Sequence, residues 1–118
     1  MTPDDFFAGQ EKSKLLFDAV HQMVNAVGSS EVRVSRSQIA FRRRKAYAWV
    51  WMPGKYLYGK VAPLVLTIAL HRRDGSPRWK EIVEPYPGRF THHLELNSIG
   101  DIDDEVSNWL SEAWSEAA

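Results

Sequence analysis

The chain has 118 residues, 44% hydrophobic and 25% charged, with fifteen basic and fifteen acidic side chains and no cysteine. That length and composition give a single domain, residues 1–118, able to bury a core without staples, and they exclude a disulfide framework, a thiolate metal site and a cysteine nucleophile. The neutral total hides a segregation: thirteen Lys and Arg face four acids between Glu31 and His93, whereas Leu94–Ala118 holds seven acids and no base. Such a pattern suits a surface that meets an anion, or a basic sheet lying beside an acidic helix of the same molecule.

In chain order, Pro3 and two early acids start a short turn whose Phe6 and Phe7 fold back onto the core. Leu15, Leu16, Ala19, Val20, Met23, Val24 and Val27 recur at helical spacing, which predicts an amphipathic helix over Glu11–Val27 stopped by Gly28. The period then changes to two. Val32 and Val34, Ile39 and Phe41, and Tyr47, Trp49 and Trp51 alternate with small or polar residues, as strands with one covered face do. Ala46–Met52 and Leu64–Leu70 are apolar on both faces and are expected to be central strands. A turn at Asp74-Gly75-Ser76-Pro77 precedes a strand near Trp79–Val83, and a break at Glu84–Gly88 precedes a last strand, Phe90–Leu96. Ile102, Val106, Trp109, Leu110, Ala113, Trp114 and Ala117 form a second helical stripe, and Asp101, Asp103, Asp104 and Glu105 sit where unpaired N–H groups and the helix dipole favour carboxylates.

The expected fold is therefore α+β, a two-layer sandwich in which an antiparallel meander sheet of five or six strands carries the N-terminal and C-terminal helices on one face. Leu16, Val20, Val24, Trp49, Leu66, Ile68, Leu94, Val106, Leu110 and Trp114 are expected to form one contiguous core. The longest apolar run, Val61–Leu70, is too short to cross a bilayer, and the first residues carry acids rather than a basic leader segment. A cytoplasmic protein without a membrane partner is the expectation.

Several of these segments together are similar to one family. The amphipathic N-terminal helix, Ser35-Arg36-Ser37-Gln38-Ile39-Ala40-Phe41, the aromatic central strand, Gly88-Arg89-Phe90-Thr91-His92-His93-Leu94-Glu95-Leu96, and Asp101–Val106 with Trp109-Leu110 and Glu112-Ala113 resemble the bacterial family called domain of unknown function 5655. The likeness runs from about Leu15 to Trp114, and it implies the fold but no activity and no catalytic residue. Members that are joined to nuclease-like domains tilt the resemblance toward nucleic-acid systems.

Three constellations carry chemistry. Arg36, Arg42, Arg43, Arg44, Lys45, Arg72, Arg73 and Arg89 are candidates for phosphate or other polyanion binding, because dense positive charge gains affinity by counterion release regardless of base sequence. On a meander, Arg42–Lys45 fills one hairpin turn and Arg72-Arg73 opens another, so alternate turns bring them to one end of the sheet. Aromatics interleave with this charge, Tyr47, Trp49, Trp51, Tyr56, Tyr58, Trp79 and Tyr86, and those of them that are exposed suit stacking on unpaired bases. His92 and His93 point to opposite faces of a strand, so they do not ligate one metal as a pair; His92 belongs with the core and His93 with Thr91 and Glu95 on the outer side, as an adjunct to the anion site. Tyr56 and Tyr58 in the loop Met52–Lys60 are candidates for a ligand pocket or protein interface, with capping of the core by Leu57 and one Tyr as the plain alternative. No nucleophile, zinc, paired-carboxylate or P-loop motif is present, so no catalytic residue, metal or cofactor is assigned. The resulting expectation is a non-enzymatic binding module for nucleic acid or another polyanion. The alternative is a protein-interaction module using the acidic C-terminal helix or the Tyr56–Tyr58 loop.

Overall fold

The computed structural model describes residues 1–118. The first turn, α1 (Pro3–Phe6), is held by a reciprocal cap in which the Asp5 N–H donates to the Thr2 hydroxyl and the Thr2 N–H donates to the Asp5 carboxylate. It delivers Phe6 and Phe7 into the core, where Phe7 packs against Phe17. Helix α2 (Glu11–Val27) buries Leu16, Phe17, Val20 and Val24 and ends at Gly28. Leu15 departs from the sequence reading: it is 60% exposed, because it falls beside the stripe that Leu16, Val20 and Val24 form at four-residue intervals.

Six antiparallel strands follow: β1 (Glu31–Val34), β2 (Ile39–Arg42), β3 (Ala46–Trp51), β4 (Leu64–Leu70), β5 (Glu81–Tyr86) and β6 (Arg89–Leu96). They lie in the order β1-β2-β3-β4-β6-β5, a meander through β4 after which the chain crosses to the far edge and β6 returns between β4 and β5. The Asp74–Pro77 turn thus lies inside a crossover rather than a hairpin. β5 also runs further than the sequence suggested, through Pro85 to Tyr86, which its edge position permits since a proline there costs the sheet no ladder bond.

Helix α3 (Asp104–Glu116) starts at Asp103, whose carboxylate accepts from the Val106 N–H. It lies beside α2 on the same face of the sheet, giving the two-layer α+β fold. Leu64, Leu66, Ile68 and Leu70 of β4, Leu94 and Leu96 of β6 and Val106 and Leu110 of α3 share one continuous core with α2. Trp114 packs at its margin and donates its indole N–H to the Ser29 carbonyl at 2.9 Å. Gly28 is required by that contact: a Cβ there would stand 2.5 Å from the Trp114 ring.

Trp49 is not in the core, and this is the main correction to the sequence reading. β3 carries an extra residue opposite the Phe41–Arg42 step of β2, so Tyr47 turns inward with Ala48 and Val50 while Trp49 and Trp51 take the other face. Ala48 and Val50 are fully buried; Trp49 and Trp51 are only partly covered. The largest apolar side chains of the central strand face away from the helices.

Candidate binding face of the sheet

The sheet face opposite the helices is built by strand alternation. Register places Ala40, Trp49, Thr67, His93 and Glu81 in one row across β2, β3, β4, β6 and β5, with Trp51, Val65 and Glu95 in the row beside it. Small residues at Ala40 and Thr67 leave a trough between the large ones. The result is an open groove of about 520 Å³ bounded by Trp49, Trp51, Tyr56, Thr67 and His93, with Ser37, Gln38 and Thr91 at its margins. That size is in the range of small-molecule sites, and its lining of aromatics with a few polar groups is what such sites use.

A hydrogen-bonded chain fixes the groove floor. The Trp51 indole N–H donates to the Thr67 hydroxyl at 3.1 Å, and that hydroxyl lies 2.7 Å from His93 Nδ1. Because the hydroxyl already accepts from Trp51, we assign its own proton to His93 Nδ1 and the ring proton to Nε2. Burial holds the His93 pKa below its ordinary value, against the raising influence of Glu81. The Tyr56 ring, 6.4 Å from that of Trp51, closes the groove at the loop end.

His92 serves the opposite face and is completely buried. Its Nε2 accepts the Asp74 N–H at 3.0 Å, so Nδ1 carries the proton and faces the Ile68 and Phe90 carbonyls at 3.2 and 3.1 Å. Its ring packs 4.8 Å from Trp79. Asp74 in turn accepts from Ser76, Trp79 and Arg72, and those bonds hold its carboxyl below the usual range despite its burial. His92 is thus the pin of the crossover.

The basic candidates divide by end of the sheet. The β2–β3 turn with Arg42, Arg43, Arg44 and Lys45, the exit of β4 with Arg72 and Arg73, and the start of β6 with Arg89 lie at one end, as the topology required. Arg36 lies in the β1–β2 turn at the other end, where its carbonyl accepts from the Lys55 ammonium at 3.4 Å and its neighbour Ser37 accepts from Tyr56. Part of the charge is matched internally. Arg72 grips Glu112 of α3 through two bonds of 2.8 and 2.9 Å and also binds Asp74; Arg78 binds Asp103 and Glu105. Arg43 stacks 3.6 Å over Trp114 and donates to its carbonyl, so it braces α3 as well.

Arg44, Lys45 and Arg73 have exposed side chains without an acidic partner. Arg89 donates to the Ala46 carbonyl and lies near both Trp49 and Tyr86, at 5.7 and 5.9 Å from their rings. Tyr58 is fully exposed, and Leu57 is 56% exposed, so this loop does not cap the core. Sequence reasoning missed Thr67 as a groove residue; its signal was its register with Trp49 and His93, which a single strand pattern does not give. No three His, Asp or Glu side chains converge on a point that would hold a metal ion. No helix is long and apolar enough to cross a membrane.

Comparison with known families bears on the same segments. The model of a domain of unknown function, DUF5655, matches residues 3–117. The chain belongs to that family. The match spans all three helices and all six strands, and it carries no activity with it. No curated protein and no solved structure matches this DUF5655 chain.

Proposed function

We propose that this DUF5655 domain is a binding module that takes single-stranded nucleic acid on the open face of its sheet. One observation carries the reading: Trp49, Trp51 and Tyr56 line an open groove beside Arg89, with the uncommitted cations Arg44, Lys45 and Arg73 at one end of the same sheet. Trp49 and Trp51 are two residues apart on one strand, about 6.7 Å, which is two base-stacking intervals and leaves room for unstacked bases to be received separately. Base–aromatic stacking contributes about 1–3 kcal/mol per base and tolerates any sequence. On this reading Arg72 and Arg78, paired with Glu112 and Asp103, serve the fold, and the unpaired cations serve the interface. A cytoplasmic location belongs to this reading.

The test is a titration of short single-stranded oligonucleotides, read by tryptophan fluorescence across salt concentration. Quenching with an affinity that falls as salt rises is expected. Absence of binding at low ionic strength would retire the reading. The exposed Leu57 and Tyr58 favour protein contact as the second reading; in that case Tyr58→Ala abolishes capture of the partner and leaves oligonucleotide titrations blank.

A further inference from the structure

Trp51 and His93 line a second cavity as well, of about 390 Å³, so the two side chains stand as a partition across the open face. The chemistry on the two sides differs. The first cavity presents hydroxyl and amide groups, whereas the second has Val65 on its floor and the carboxylates of Glu81 and Glu95 with Lys80 at its wall. Glu95 stands 3.9 Å from Lys80, and Glu81 has no ion-pair partner. A free carboxylate is a poor neighbour for phosphate, yet it is the acceptor that a base edge with adjacent N–H donors requires.

Glu81 sits opposite His93 in the β5–β6 register, which puts their Cβ atoms about 5 Å apart on one face. With His93 Nδ1 engaged by Thr67, its Nε2–H is a donor next to an acceptor-only carboxylate. That donor–acceptor order is met most fully by one nucleobase. Guanine presents an O6 acceptor to the imidazole N–H, then N1–H and N2–H side by side to the carboxylate. Adenine and cytosine offer one ring nitrogen and one amino N–H, and thymine and uracil one carbonyl and one N–H, so each gives the carboxylate a single donor where guanine gives two.

We propose that the second cavity is a guanine subsite, in which Trp51 stacks on the base, His93 donates to O6 and Glu81 accepts from N1–H and N2–H. The proposal rests on the single-strand reading above and adds a base preference to it. It is tested with three pentanucleotides at low salt: all thymidine, the same with a central guanosine, and the same with a central inosine, which lacks the 2-amino group. Guanosine is expected to tighten binding about tenfold over thymidine, with inosine between them. Glu81→Gln, an isosteric change on an exposed edge strand, is expected to erase the guanosine-to-thymidine ratio while all-thymidine binding stays equal or tightens, since one repelling charge is gone. Equal affinity for the thymidine and guanosine oligomers in the parent, or a ratio that survives in Glu81→Gln, overturns the guanine subsite and leaves single-strand binding standing. Failure to bind any of the three overturns both.

Discussion

The two faces of this sheet are made from alternate residues of the same strands, and they differ in how their polar groups are used. On the covered face His92 has both ring nitrogens engaged by the backbone and sits among fully buried aliphatic side chains. On the open face, one residue later, His93 is engaged at Nδ1 through Thr67 and keeps Nε2 for other use. The dipeptide His92-His93 therefore holds a structural group and a recognition group within a single step of chain. Complete satisfaction marks the first, and one unspent donor beside an unpaired carboxylate marks the second.

Substitution in the covered face should have the largest effect. Leu66 is completely buried in the central strand, and Leu66→Ala is expected to cost about 2–5 kcal/mol, seen as a fall in the denaturant midpoint. Trp51→Ala on the open face should separate the two roles: a smaller loss of stability, with oligonucleotide affinity weakened by about 1–3 kcal/mol. If Trp51→Ala destabilised the fold as much as Leu66→Ala, the open face would be a second core.

Acid should distinguish the faces more gently. Burial holds the pKa of both His92 and His93 below the ordinary histidine value of about 6.5. Above that value both rings are neutral whether the chain is folded or unfolded, and pH has no effect through them. As pH falls through about 6.5, the unfolded chain takes up protons that the folded chain refuses, so stability declines until the lower folded values are reached. Denaturant midpoints between about pH 7.5 and 5.5 should show this decline; the lowered carboxyl of Asp74 acts only in more acid solution. A flat profile would mean that the folded chain protonates both rings freely.

The smallest expected change concerns the basic end. Arg44→Ala with Lys45→Ala should leave the melting temperature unchanged and reduce the salt slope of single-strand binding by about one to two, roughly 0.7 per lost phosphate contact. Arg43→Ala is the internal control: it removes the guanidinium stacked on Trp114, so it should lower stability and leave that slope intact.

Most of the fold was legible because helix and strand periods leave a direct imprint on Glu11–Val27, Leu64–Leu70 and Val106–Ala117, and because turn residues separate them. The face of β3 was not. Alternation put Tyr47, Trp49 and Trp51 on one face, with Trp49 in the core; the extra residue at Tyr47 breaks that alternation, and such a bulge depends on the partner strand. The candidate site was legible as residue types, Arg, Trp and Tyr near one another in sequence. Its centre was not, since Thr67, Glu81 and His93 meet only through the β4-β6-β5 order, which no local pattern encodes.

That strand order also governs how the domain assembles and breathes. β5 and β6 form a local hairpin around Gly88, and the crossover that leads to it lies over the helix side, where His92 holds Asp74 and Trp79 packs against Trp109. The hairpin should then dock as one late unit, because its pairing with β4 closes a longer loop than any other pairing in the sheet. Native-state hydrogen exchange reports a different property, fraying from the sheet edges: amides of β1 and β5 exchange first, those shared by β4 and β6 last. Since Glu81 belongs to β5 and His93 to β6, the two halves of the guanine edge reader lie on opposite sides of a seam that frays from the edge.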